Sequence, residues 1–199
     1  MDISIVICSY NRAHNLPECF EHLLKLEGMD AVQWEIILVD NNSTDDTQSV
    51  SLRYDESSSL NIRYIFEGQQ GLSFARNKGI ETATGKYVVF IDDDIRVTPK
   101  WLRTIYDTFE AFGCDAVGGR IHIESPQSLP VWISPDMYGF LGHQDFGDKA
   151  HQMDGHTEFP FGGNMAVNRT VFSSIGTFNT QLGRRGEGSK SDELFKGEE

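Results

Sequence analysis

The feature that most narrows what this chain can fold into is an alternation: a short apolar run, an abrupt polar turn, then a segment with helical spacing. Ile3 to Cys8 is a β-branched apolar run of the kind buried on both faces of a sheet. The turn Ser9-Tyr10-Asn11-Arg12 follows, and Asn15-Leu16-Pro17-Glu18 opens a segment in which Phe20, Leu23 and Leu24 recur at helical spacing. Trp34 to Val39 repeats the pattern, ends at Asp40, and gives way to Asn41-Asn42-Ser43-Thr44-Asp45, which is rich in turn and helix-capping residues. Asn61 to Phe66 predicts a third strand, and Gly71-Leu72-Ser73-Phe74-Ala75-Arg76-Asn77 leads a helix reaching Ala83. Tyr87 to Ile91 predicts a fourth strand, stopped by Asp92-Asp93-Asp94, and Pro99 to Phe112 reads as its helix, with proline in the first turn.

Strands alternating with helices predict an α/β fold: a Rossmann-like, mostly parallel central sheet with helices on both faces. In such sheets ligands sit beyond the carboxyl ends of the strands, and all the polar turns just named fall on that edge. Beyond Asp115 the alternation weakens. Ala116 to Ile123 reads as one more strand, while residues 125 to 160 carry Pro, Gly, His and aromatics without a clear period, which predicts a lid or substrate wall. Phe161 to Val167 reads as a tight turn entering a short strand, Arg169 to Ile175 as a short helix, and the tail from Gly183 is polar and glycine-rich. At 199 residues the chain suits one domain.

Charge limits the partners. Lys and Arg number 17 against 30 Asp and Glu, a formal net charge of −13, so nucleic acid is excluded as an expected partner. An anionic ligand would need a divalent cation or a few well-placed Arg and Lys to overcome that field. Cys8, Cys19 and Cys114 are odd in number and widely spaced, which suits a reducing compartment and spells neither a disulfide framework nor a zinc site. The N-terminus has no basic region and no stretch approaches a bilayer span, so the expected location is cytoplasmic.

The triple aspartate is the sharpest chemical feature. Alternate residues of an extended stretch point the same way, so Asp92 and Asp94 are expected to converge while Asp93 turns aside. Two carboxylates suffice to hold Mn2+ or Mg2+ whose other positions go to water and a diphosphate; the competing reading is a solvated acidic turn. Asp40 has two readings of equal weight, an acceptor for a base or ribose edge and an Asx turn fixing Asn42 and Ser43. Arg76 and Lys78 are candidates for phosphate oxygens, with pairing to a nearby acid as the alternative for Arg76. Glu198 and Glu199 are candidate general bases, or else a solvated terminus. Trp132, Tyr138 and Phe140 are candidates for stacking on a sugar face or for loop packing. The His and Asp residues from His143 to His156 show no recognised metal spacing.

Together these motifs resemble a known family. Ile5 to Arg12, Val39 to Asp45, Gly71 to Asn77 and Phe90 to Asp94 look like successive signatures of family 2 glycosyltransferases with the GT-A fold. Phe161-Gly162-Gly163-Asn164-Met165-Ala166, Ile175-Gly176-Thr177-Phe178 and Gly197-Glu198-Glu199 resemble that family's acceptor-side turn and late acidic motif. The resemblance implies transfer of a sugar from a nucleoside-diphosphate sugar, with a UDP-sugar favoured, to a hydroxyl of a sugar, lipid-linked or polysaccharide acceptor, with inversion and with Mn2+ or Mg2+. It implies that Ser9, Tyr10 and Arg12 line the nucleotide pocket, Asp40 contacts the base, and Arg76 approaches the base or diphosphate. Asp92, Asp93 and Asp94 become the metal and ribose motif: Asp94 the direct ligand with Asp92 beside it, Asp93 near the ribose. Glu199 takes the base position, where the family more often has Asp, with Glu198 as the fallback.

Residues 1–124 are then the donor-binding part and 125–199 the acceptor-side part of one domain. Because the chain stops at the acidic motif, it is expected to be a fragment of a longer protein with an incomplete acceptor site. Its cell-surface polysaccharide role, and association with the inner face of the membrane through further residues, follow from the same likeness. Two other readings compete. One is a catalytically silent nucleotide-sugar binding module. The other is an aspartate-dependent phosphatase of the haloacid dehalogenase type, which wants Thr or Val where Arg96 stands and normally carries its motif after the first strand.

Overall fold

The computed structural model describes residues 1–125 and 128–183. The four apolar runs become strands β1 (Ile3–Ser9), β2 (Trp34–Asp40), β3 (Ile62–Phe66) and β4 (Tyr87–Asp92). Between and after them lie helices α1 (Leu16–Leu23), α2 (Thr47–Ser57), α3 (Leu72–Thr82) and α4 (Trp101–Phe112). Two short strands, β5 (Ala116–Gly118) and β6 (Met165–Asn168), and helix α5 (Arg169–Ile175) follow. The α4 boundary differs from expectation: Pro99 lies ahead of the N-cap Lys100, in a turn closed by Trp101 N donating to Thr98 O at 3.0 Å. The strand expected over 116–123 stops early. Gly119 N donates to Asn164 O instead of continuing a ladder, and beyond it only Ile121 forms an isolated bridge, to Gln144. A 3-10 helix, Pro135–Leu141, occupies part of the stretch without period.

The sheet order is β3-β2-β1-β4-β6-β5. The pairs β1–β2, β1–β4 and β2–β3 are parallel, whereas β4–β6 and β5–β6 are antiparallel, so the sheet is mostly parallel as the alternation requires. The chain steps outward from β1 to β3, then α3 carries it back across β1 to place β4 on the other side. With right-handed crossovers, that reversal puts α3 on the opposite face from α1 and α2. The core divides accordingly. Ile3, Ile5 and Ile7 of β1 pack with Leu16, Phe20 and Leu23 of α1 and with Leu102, Ile105 and Phe109 of α4. Val6 faces the other way, among Ile37, Val39, Val88 and Phe90 and the α3 residues Ala75 and Ile80. Each fully buried large side chain contributes about 1.5–3 kcal/mol, before chain entropy is set against it. Among the described residues no helix is long and apolar enough to cross a membrane.

Two buried details fix how the layers meet. A Cβ at Gly79 would lie 2.3 Å from Val6 Cγ1, so α3 approaches β1 at a distance only glycine permits. At the amino edge of the sheet, Glu35 is 3% exposed, and its carboxylate accepts from Ser4 Oγ (2.7 Å), Thr84 Oγ1 (2.6 Å) and Thr84 N (3.1 Å) and pairs with Arg63 at 3.3 Å. Burial alone would raise its pKa, but these hydrogen bonds outweigh burial and hold it below the ordinary glutamate range.

Substituting Gly79→Ala gains about 1 kcal/mol of helix propensity but overpacks against a stiff β-branched side chain at a cost of about 1–3 kcal/mol, so chemical denaturation is expected to show a net loss. The stability that Glu35 contributes is full above the ordinary glutamate pKa and is lost as pH falls through its depressed folded value. Unfolding curves of the wild type and Glu35→Gln should therefore differ most near neutrality and converge in acid; a gap that widened on acidification would contradict this assignment.

Candidate active site

The strand order reverses between β1 and β4, and their carboxyl ends form the crevice where open α/β sheets bind ligands. Register sets what stands there: Cys8 is level with Asp92, which brings Ser9 against Asp93. Asp93 is 2% exposed. Its Oδ2 accepts from Ser9 Oγ at 2.7 Å, and its Oδ1 accepts from Arg12 Nη1 at 3.2 Å and Asn15 Nδ2 at 3.3 Å. Arg12 Nη1 also donates to Asp94 Oδ2 at 2.9 Å. Partial burial works against the Arg12 charge, but Asp93 and Asp94 outweigh it, so the guanidinium is held protonated more firmly than usual.

The three aspartates thus divide. Asp92 is the last residue of β4 and half-buried; the buried Gly163 packs closely against it, since a Cβ there would lie 3.3 Å from Asp92 Oδ2 and about as close to Ile121 and Ile95. Asp93 turns inward against Ser9 and Asn15, and it does not stand aside from Asp94 as the alternation predicts, because both meet Arg12 Nη1. Asp94 does not simply rejoin Asp92, because the strand ends at Asp92 and the chain turns, with Ile95 N donating to Asp92 O at 3.2 Å. Its carboxylate, about half in solvent, shares Arg12 with Asp93. On the α1 side a small, shallow hollow is lined by Asn15, Glu18, Cys19, Asp93, Asp94, Ile95 and Arg96. Burial, then the charges of Asp93 and Asp94, push the Cys19 thiol up to about 12, so it stays protonated and unreactive.

Asp40 ends β2 and is buried. Its Oδ1 accepts from Ser43 N at 2.8 Å, which is the Asx turn, and its Oδ2 accepts from Tyr64 OH at 2.7 Å. Burial first, then the bond to Asp40, push the Tyr64 phenol well above its ordinary pKa. Asn41 ties the next loop in: its Nδ2 donates to Gln69 O at 2.7 Å and its Oδ1 accepts from Gly71 N at 2.7 Å. The β1 and β2 loops are stitched to each other by Asn11 N to Ser43 Oγ (2.9 Å), Thr44 N to Asn11 Oδ1 (2.8 Å) and Ala13 N to Asp45 Oδ2 (2.8 Å). Asn11 and Asn42 take left-handed backbone, φ 52° and 68°, which asparagine tolerates better than most residues. Tyr10 sits half-buried on the turn just beyond Ser9.

Other residues singled out in the sequence take the following places. Arg76 is buried on α3, with its guanidinium 5.3 Å from the centre of the Phe178 ring. Lys78 pairs with Glu81 at 2.8 Å on the exposed side of α3. Arg96, two beyond Asp94, pairs with Glu18 and Glu124. Trp132 and Phe140 are exposed, and Tyr138 stands edge-on to His143 at 5.9 Å. Of the late His and Asp run, His151 bonds Glu158 at 2.8 Å, Asp148 pairs with Arg120 at 2.7 Å, and Asp154 caps a turn through His156, Thr157 and Glu158. Glu198 and Glu199 lie outside the described residues.

Several contributors carry no obvious mark in the sequence. Asn15 reads as a helix cap, yet its side chain makes no cap hydrogen bond and is spent on Asp93. Ser73 and Asn77 hold the segment after α5, through Ser73 Oγ to Leu182 O (2.9 Å) and a two-way pair between Asn77 and the Phe178 backbone (2.8 and 2.9 Å). Asn164 clamps Trp101 Nε1 (2.9 Å) and Arg120 O (3.0 Å), which carries the residues next to Gly163 against α4. Its position in a Gly-Gly-Asn turn was the available hint.

With this geometry in hand, comparison with known proteins is informative. The family model described as glycosyl transferase family 2 matches residues 4–176. A glucosyl-dolichyl phosphate glucuronosyltransferase of Haloferax volcanii is 26% identical over 190 residues, covering 94% of this chain and 59% of its own length. S. aureus TarS, solved in complex with UDP-GlcNAc, superposes with a TM-score of 0.72 at 18% identity, covering 92% of this chain and 50% of its own. The mannosyltransferase PcManGT of Pyrobaculum calidifontis, solved with GDP-Man and Mn2+, gives a TM-score of 0.68 at 21% identity, covering 90% of this chain and 48% of its own. The chain therefore spans about half to three-fifths of the length of these matched chains.

Removing the buried carboxylate should cost far more than removing the exposed one. Asp93→Ala strands Ser9 and Asn15 and is expected to lose about 2–3 kcal/mol, whereas Asp94→Ala should stay within about 0.5 kcal/mol of wild type. Equilibrium unfolding of the two variants measures the difference, and equal losses would contradict the division of labour.

Proposed function

Because this chain belongs to glycosyl transferase family 2 and has its GT-A fold, we propose that it transfers a sugar from a nucleoside-diphosphate sugar to a hydroxyl acceptor with inversion, using Mn2+ or Mg2+. The observation that carries this reading is the convergence of the β1, β2 and β4 ends, whose loops are locked together by Asp93, Asp40 and their partners before any ligand arrives. A pocket so preorganised spends little entropy on ordering itself around a nucleotide.

The residues fit a divalent cation. Asp92 and Asp94 offer hard carboxylate oxygens on either side of the buried Asp93. Among the described residues no group of three or more His, Cys, Asp or Glu side chains that could hold a metal is found, so an ion here would draw most of its ligands from diphosphate oxygens and water. Such an ion, when bound, supplies neutralisation of the departing diphosphate. Asp94, the more exposed of the two, is the principal ligand. Asp93, with its oxygens already taken by Ser9, Arg12 and Asn15, reaches the nucleotide chiefly by fixing Ser9 and Arg12 in place. Asp40 presents the rim of its carboxylate to the base, oriented by Ser43 and Tyr64, with Tyr10 nearby on the same turn. Arg76 supports the pocket from beneath Phe178.

Glu199, or Glu198 beside it, takes the proton from the acceptor hydroxyl on the face away from the diphosphate. Residues 125–199 contribute the acceptor side, with Trp132, Tyr138 and Phe140 offered to a sugar face. Two neighbours guide the choice of substrate. The complex of TarS with UDP-GlcNAc supports a UDP-sugar as the first donor to try, with GDP-sugars second in view of PcManGT. The name of the Haloferax relative supports a lipid-linked acceptor, which would draw the protein to the inner face of a membrane.

Thermal melts with UDP- and GDP-sugars, with and without manganese, are expected to show a manganese-dependent stabilisation by at least one donor. Asp94→Ala should abolish that shift and lower donor turnover by about 100-fold or more. Binding without turnover in a longer chain would favour the silent binding module, and phosphate release from a generic ester would favour the phosphatase.

A further inference from the structure

We infer that Arg12 is a resident counter-ion: it occupies the exposed carboxylate of the acidic motif in the absence of ligand and thereby makes cation and nucleotide bind as a coupled pair. The inference rests on the donor-site reading above and adds to it a role for one side chain. A single nitrogen, Nη1, contacts both Asp93 Oδ1 (3.2 Å) and Asp94 Oδ2 (2.9 Å). The two contacts are unequal in kind. Asp93 is buried and pinned by Ser9 and Asn15, whereas Asp94 and Arg12 each keep about half their side-chain surface in solvent. The backbone on either side of Arg12 is also pinned, by Asn11 N to Ser43 Oγ and Ala13 N to Asp45 Oδ2. Any rearrangement therefore falls on the Arg12 side chain and the Asp94 carboxylate.

A magnesium- or manganese-sized ion binds carboxylate oxygen at about 2.1 Å, so an ion on Asp94 would stand directly beside the guanidinium. Alone, that ion meets a like charge and must displace one hydrogen bond of Arg12, so Arg12 weakens it. A diphosphate reverses the sign. With a diphosphate present, the guanidinium of Arg12 would have anionic oxygens to donate to in place of Asp94, so its charge would favour the ion–nucleotide pair instead of opposing the ion. Arg12 keeps its contact with Asp93 as a pivot. By linkage, the factor by which nucleotide tightens the ion equals the factor by which the ion tightens nucleotide.

The test is titration of the protein with Mn2+, followed by electron paramagnetic resonance of the free ion, with and without saturating UDP and, in parallel, GDP. Wild type, Arg12→Gln and Arg12→Lys are compared. Arg12→Gln is expected to bind Mn2+ alone about 3- to 10-fold more tightly than wild type and to lose at least about five-fold of the coupling to nucleotide, with Arg12→Lys in between. A merely structural ion pair would change the melting temperature and leave the coupling factor alone; unchanged coupling, or Mn2+ bound no more tightly by the Gln variant, overturns the inference. If Arg12→Gln fails to fold, the same comparison is decided on Arg12→Lys. Wild type that takes up no Mn2+ even with nucleotide would overturn the donor-site reading itself, a result distinct from coupled uptake that Arg12 does not influence.

Discussion

The structure depends on one buried carboxylate. Asp93 sits at the place where the sheet reverses direction, and a charge so enclosed persists only where donors surround it. Those donors come from the end of β1 and the loop behind it: Ser9, Arg12 and Asn15. The need to satisfy one side chain therefore joins two strands whose partner residues are more than 75 positions apart in sequence. Once the first loop is fixed this way, Asn11 and Ala13 are in place to meet Ser43, Thr44 and Asp45 of the second, and Asn41 carries the linkage on to Gly71 at the start of α3. The rim is a chain of hydrogen bonds with Asp93 near one end.

The opposite face obeys a steric constraint. α3 must return the chain past β1, and it can lie close only because Gly79 has no side chain to meet Val6. That proximity lets the polar face of α3 serve the site: Ser73 and Asn77 reach the 178–182 segment, and Arg76 lies under Phe178. Gly163 repeats the logic beside β4, where the missing Cβ lets the turn pack against Asp92, Ile95 and Ile121. Two glycines in different motifs thus do related work, each permitting a close approach.

The alternation of strand and helix was legible in the residues because periodicity and polarity are local properties. So was the position of the acidic motif, since an apolar run ending in three aspartates must end at a sheet edge. The facing of the aspartates was not legible: a period of two lapses where β4 ends at Asp92, so Asp93 turns inward and Asp94 bends back to share its cation, in place of the expected convergence of Asp92 and Asp94. Asn15 stood at the opening of the first helical segment, Tyr64 lay unremarked within the third apolar run, and Pro99 read as the first helical turn. Their actual places depend on which distant loop lies opposite, and that is decided by register across β1, β2 and β4. The family resemblance carried motif roles but not this division among neighbouring carboxylates.

What distinguishes a structural acid from one available for chemistry here is how its lone pairs are spent. Glu35, at the amino edge, takes four donor contacts and lies out of solvent. Asp93, at the carboxyl edge, takes three and is equally enclosed. Neither can accept a new ligand without releasing an old one, and for the buried Ser4 and Ser9 that release would strand a donor. Asp94 is half exposed and has the half-exposed Arg12, a contact that can be exchanged at little cost. The acidic motif is therefore built as a fixed residue beside a yielding one, and the half-exposed guanidinium of Arg12 between them offsets the repulsion of the two carboxylates.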